Sequence, residues 1–158
     1  MATTHPNTER VRDAARAAGL TIEVREFPEG TRTADDAARA IGCTVDQIVK
    51  SLVFLVDDEP VIALVSGAHR LDEAALLAAH GATEIARADA DTVRSATGYP
   101  IGGVPPFGHP SPLPTYMDPH LLTFDVVWAA AGTPRHVFAV DPADLRAATR
   151  AEAADICR

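Results

Sequence analysis

The run TGYPIGGVPPFG, residues 97–108, is the part of the chain most constrained in backbone and poorest in side-chain chemistry. Four of the ten glycines lie in it (Gly98, Gly102, Gly103 and Gly108), and seven of the twelve prolines fall between Pro100 and Pro119. Glycine reaches positive φ and lets a ligand approach the backbone closely, whereas proline fixes φ and removes a donor. A loop built this way aims a few N–H groups, those of Gly102, Gly103 and Val104, in one direction. Such a nest suits a carbonyl oxygen that becomes an oxyanion, or a phosphate. A stiff crossover between strands would use the same residue types.

On either side of this loop the chain mixes short helices and strands. Asn7 or Thr8 is placed to cap a first helix with Val11, Ala14, Ala15 and Ala18 at helical spacing, ended by Gly19. Residues 21–27 alternate Ile22 and Val24 with charged neighbours, as a strand with one wet face does. Thr33 opens a second helix with Asp36 as its box partner and Gly42 as its stop, and Thr44 with Gln47 repeats the box. Strands at 48–56 and 61–65 form a hairpin through Asp57-Asp58-Glu59-Pro60. Helices follow at 71–79, closed by Gly81, and at 89–96, closed by Gly98. A second hairpin pairs 124–130 with 136–140 around Gly132-Thr133-Pro134. Asp141 caps the last helix, with Pro142 in its first turn and Asp144 as box partner. Without a regular β-α-β alternation, the pattern predicts an α+β fold with a mixed, largely antiparallel sheet and flanking helices.

At 158 residues and 47% hydrophobic content the chain can bury a core of its own, and residues 1–158 read as a single domain. It has no apolar run of the ~18 residues that a membrane span needs. The opening MATTHPNTER lacks the apolar centre of a signal peptide. Cys43 and Cys157 stand far apart and read as free thiols, so the expected location is the cytoplasm. A net charge of −8 argues against a strong grip on nucleic acid, which takes a basic footprint. No DNA and no membrane partner is expected.

Lys50 is the only lysine beside thirteen arginines. Strand alternation sets it on one face with Ile48, Leu52 and Phe54, where a charge is costly unless paired or met by a ligand. A snorkelling lysine at a strand entrance is the plain reading. The histidines show no HExxH or paired spacing and the cysteines no CxxC, so neither metal nor cofactor is expected. His136 shares a face with Phe138 and Val140, as a half-buried imidazole or a substrate contact. Asp118 is a candidate carboxylate or a turn cap before Pro119. Ser66, Ser95 and Ser111 lack a nucleophile-elbow context.

Five stretches, in this order and spacing, carry a family resemblance: TADDAARAIG, QIVKSLVFLV, TGYPIGGVPPFG, LPTYMD and AGTPRHVFAVDPADL. Over residues 33–145 the chain resembles the YbaK/prolyl-tRNA synthetase-associated family, aminoacyl-tRNA deacylases that act in trans-editing. The resemblance implies a sheet curled into an open barrel-like form. It implies hydrolysis of the ester that joins a wrong amino acid to tRNA, with water or a substrate group as nucleophile. Lys50, Gly102 and Gly103 would be catalytic. Phe27, Thr33, Thr97, Gly98, Val104, Pro105, Asp118, His136 and Val137 would bind substrate. The implied partner is the 3′ end of aminoacyl-tRNA, gripped alone or beside an aminoacyl-tRNA synthetase that holds the rest. Cysteine-specific members carry a tyrosine in place of Phe27 and an aspartate in place of Val137, so a small, mostly apolar amino acid is expected here. Two other readings stay open: a non-catalytic aminoacyl-tRNA or synthetase-associated binding module, and a polyproline ligand presented by PPFGHPSPLP.

Overall fold

Side-chain caps and left-handed stops mark out the helices in the computed structural model, which describes residues 5–27 and 33–158. Residues 1–4 of the opening stretch lie outside that description. Helix α1 (Pro6–Ala17) begins at His5, whose Nδ1 accepts from Asn7 N at 3.0 Å. This start precedes the expected Asn7 or Thr8 because Pro6 is preorganised for the first helical position. Thr33 caps α2 (Ala34–Ile41) by accepting from Asp36 N, and Gly42 ends it at φ 87°. The Thr44–Gln47 box opens a 3-10 turn, Val45–Gln47. Asp72, Asp89 and Asp141 cap α3 (Glu73–His80), α4 (Ala90–Thr97) and α5 (Pro142–Thr149).

Strands β2 (Val49–Val56) and β3 (Glu59–Ser66) form the long hairpin. Asp57 and Asp58 both take positive φ (49° and 65°), the geometry of a primed two-residue turn that matches strand twist. Asp57 secures the turn by accepting from Glu84 N at 2.9 Å. One sheet runs β4-β2-β3-β5-β8, where β4 is Ile85–Arg87, β5 Thr115–Met117 and β8 Glu152–Ala153. In it β5 lies parallel to β3 and to β8. The other sheet, β1-β7-β6, is antiparallel and holds Val24–Glu26, His136–Val140 and Val127–Ala130.

The mixed α+β expectation holds, but the barrel-like form does not. The described strands make two separate sheets, neither closed nor strongly curled. Among the described residues one isolated β-bridge links them, Ile48↔Trp128. Edge strands of two to four residues cannot supply the ladder that closure needs. The hairpin strand expected from 124 starts at 127, because a 3-10 turn, Pro119–Thr123, runs into a bend at residues 124–125.

Alternation along the hairpin divides the core. Val49, Val53, Ile62 and Leu64 join Val104, Phe107, Met117, Val127 and Phe138 in one cluster. Phe54, Val61, Ala63 and Val65 join Leu76, Tyr116 and Ile156 in a second, and Ala37, Ala38 and Ile48 form a third.

Candidate functional site

A cavity of about 530 Å³ opens where β2, β6, β7, α2 and the glycine–proline loop meet. Its walls are mostly apolar: Val49 and Val53 from β2, Ala34 and Ala37 from α2, Ala129 from β6 and Val137 from β7. Ile101, also in its wall, is 57% exposed, the one exposed large hydrophobic residue among those described. Polar character comes from Thr33, Lys50, Ser51, Arg87 and the Gly102 backbone.

The loop is held from several sides. Thr97 is fully buried and donates to Val93 O at 2.7 Å, while its Oγ1 accepts from Tyr99 N. Tyr99 is buried under the Arg10 guanidinium, 4.5 Å from the ring centre. Arg10 also donates to Gly98 O at 2.9 Å. His109 Nε2–H donates to Pro105 O at 2.9 Å, and burial lowers the His109 pKa below its ordinary value. Pro105, Pro106 and Phe107 are buried, so PPFGHPSPLP is not a free polyproline segment.

The three amides expected to act together differ. Gly103 N–H donates to Pro100 O at 3.0 Å and closes the turn. A Cβ on Gly103 would stand 2.7 Å from the Thr133 backbone, so only glycine fits. Gly102 sits at φ 87°, and its N–H and that of Val104 make no hydrogen bond with any described residue. The donors left free are therefore Gly102 and Val104.

Lys50 lines the cavity, and its Nζ donates to His69 O at 2.6 Å. Burial lowers its pKa; Cys157 and Asp118 work against that lowering, and Arg70 adds to it. Around His69 lies a compact polar cluster. His69 Nδ1 meets Asp118 Oδ2 at 2.7 Å, and the ring stacks on His120, 4.6 Å between centres. His120 in turn reaches Asp46 at 2.7 Å. Among the described residues His69, Asp118 and Cys157 bring a nitrogen, an oxygen and a sulfur within 4.8 Å of one another. Burial and then Asp118 push the Cys157 thiol up to about 12, which keeps it protonated and a weak ligand for a cation. The sequence carries no spacing signal for this cluster, since its members come from three distant segments.

Of the other expected site residues, Thr33, Val104 and Val137 line the cavity. Phe27 does not; it extends the β1 pairing by donating to Arg135 O at 2.8 Å. Thr97, Gly98 and Pro105 support the loop rather than line the cavity. Asp118 is 3% exposed, accepts from Ser66 N and His120 N, and caps the Pro119–Thr123 turn. Those bonds outweigh the opposing effect of its burial and lower its pKa. His136 is buried against Thr133 Oγ1 and faces Glu26 at 3.2 Å. Burial lowers its pKa, partly offset by Glu26. Ser51, Arg87, Ile101 and Trp128, which also line the cavity, were not expected from the sequence. Ser51 had a legible signal: alternation turns it to the face opposite Lys50, with Val49 and Val53.

The α+β scaffold thus brings Gly102 and Val104 of the loop, and Lys50, to the wall of one largely apolar cavity. The aminoacyl-tRNA editing domain matches residues 28–148, and the chain belongs to that family. A solved structure of a proposed trans-editing enzyme for prolyl tRNA synthetase is 44% identical, with a TM-score of 0.94 and 99% of each chain covered. The proline–tRNA ligase of Elusimicrobium minutum (strain Pei191) is 39% identical over 95 residues, which is 60% of this chain and 16% of the ligase. That of Maridesulfovibrio salexigens is 38% identical over 79 residues, 50% of this chain and 14% of the ligase. The matched region is thus a small part of these ligases.

Proposed function

We propose that the protein hydrolyses the ester bond of mischarged aminoacyl-tRNA, correcting errors made by a synthetase. The observation that carries this reading is that Gly102 and Val104, whose amides are free of partners among the described residues, belong to the lining of the cavity that Lys50 also lines, in a chain of the editing family. The ester carbonyl sits against the two amides, which stabilise the oxyanion; one such donor is typically worth ~10²–10³ in rate. Gly103 acts by holding the turn. Lys50 keeps two of its three N–H donors beyond the bond to His69 O. Those donors orient the terminal ribose or its phosphate. Water, or a hydroxyl of the substrate, serves as nucleophile.

The amino acid is small and mostly apolar, with alanine the favoured candidate. The cavity wall offers alanine and valine side chains, and Val137 stands among them. Phe27 lies outside that wall, which leaves Val137 as the residue of the two that can act on selectivity. A synthetase pocket separates amino acids that differ by one methylene by only ~1–3 kcal/mol, which is why a second site is useful. The similarity to a proposed trans-editing enzyme supports tRNA charged by prolyl-tRNA synthetase as substrate. Release of amino acid from a panel of mischarged tRNAs tests the proposal. Hydrolysis of alanyl-tRNA is expected, and binding without turnover would support the non-catalytic module.

A further inference from the structure

Among the described residues one buried side-chain polar atom has no hydrogen-bond partner: Oγ of Ser51. Ser51 lies in β2 opposite Leu64 and lines the cavity. A buried hydroxyl without a partner is costly, and in native proteins such groups are uncommon enough to call for a cause.

The polar inventory of the cavity wall supplies one. Lys50 and Arg87 are donors only. The Gly102 and Val104 amides are donors as well. The Thr33 hydroxyl already accepts from Asp36 N at 3.0 Å in capping α2. Ser51 Oγ is therefore the one side-chain acceptor in the wall with nothing to accept from. An aminoacyl ester brings acceptors, its carbonyl, ribose and phosphate oxygens, to match the donors. It also brings one cationic donor, the α-ammonium group, which the four donors cannot accept and for which Ser51 Oγ is the side-chain acceptor that has no partner.

We infer that Ser51 Oγ accepts a hydrogen bond from the substrate's α-ammonium, so that the site recognises an α-amino acyl group and not any small acyl group. This rests on the editing reading above. It adds a criterion that the apolar wall cannot apply, since alanyl and propionyl groups have nearly the same shape.

The test uses two non-hydrolysable probes, 3′-deoxy-3′-(alanylamino)adenosine and its propionyl counterpart, titrated calorimetrically into the full chain. Wild type is expected to bind the alanyl probe roughly tenfold more tightly, the scale of a hydrogen bond to a charged group. Ser51→Ala is expected to lose that preference by weakening the alanyl probe alone. Ser51→Thr, which keeps the oxygen, retains it. Melting curves check that both variants fold, and Ser51→Ala should melt no lower than wild type, since it removes an unsatisfied group. Equal weakening of both probes by Ser51→Ala, or no preference in wild type, overturns the inference and leaves the editing reading standing. If neither probe binds wild type, the editing reading falls and takes this inference with it.

Discussion

Gly102 and Gly103 are neighbours with different work, and substitution separates them. Gly103→Ala places a methyl 2.7 Å from the Thr133 backbone, a contact that only backbone movement relieves. Overpacking of this kind typically costs ~1–3 kcal/mol, so thermal or urea unfolding should register it directly. Gly102→Ala meets no atom closer than Pro134 Cγ at 3.7 Å, but it must hold φ 87°. A left-handed alanine costs roughly 1–2 kcal/mol, and the disturbed donor should slow the chemical step more than it weakens binding. Single-turnover kinetics distinguish the two; a pure affinity loss would assign Gly102 to phosphate or ribose contact. Lys50→Ala and Lys50→Arg should both remain folded and lose most activity. The guanidinium fork replaces a compact ammonium that sits 2.6 Å from His69 O. Wild-type turnover by the arginine variant would sink the point-charge argument.

Elements defined by local chemistry were legible in the sequence. Thr33, Asp89 and Asp141 cap helices and Gly42, Gly81 and Gly98 stop them, because capping depends on residues three or four apart. Strands β4, β5 and β8 were not legible. At two or three residues they are too short to show a period, and long-range pairing makes them strands. The same limit hid the separation of the sheets and the cluster around Asp118. That carboxylate joins β3 to the Pro119–Thr123 turn through Ser66 N and His120 N. Asp118→Ala strands both amides and His69, and should cost about 3 kcal/mol, the scale of breaking a buried polar pair. Chemical denaturation measures it, and an unchanged midpoint would refute the anchoring role. The glycine–proline loop has a pH dependence of its own. Burial lowers the folded pKa of His109 and of His136 below 6.5. Below pH 6.5 the unfolded chain therefore binds protons that the folded chain does not. Stability should fall as pH drops from 6.5 until the folded pKa values are passed. His109→Gln should flatten that slope, as unfolding midpoints between pH 5 and 7 would reveal. The Asp118 contribution lies in a lower window: present above about pH 3.8, it is lost as pH falls through the lowered folded value.

At the scale of the whole molecule, the charge of −8 argues against a wide basic footprint for tRNA, and Lys50 and Arg87 are the cations in the cavity wall among the described residues. One or two phosphate contacts imply that affinity drops only about 3- to 12-fold between 50 and 200 mM salt, and a steeper loss would point to a wider basic footprint. Under the proposed selectivity for a small apolar amino acid, alanyl-tRNA should be cleared in preference to cysteinyl-tRNA on the same tRNA body. The measurement that bears most directly on the central claim is single-turnover release of alanine and of cysteine from tRNAPro by wild type and Lys50→Ala. Rapid alanine release, slower cysteine release, and loss of most of the alanine rate in the variant are expected. No release of either amino acid would contradict the editing reading, and cysteine released tenfold faster than alanine would reverse the assignment of substrate.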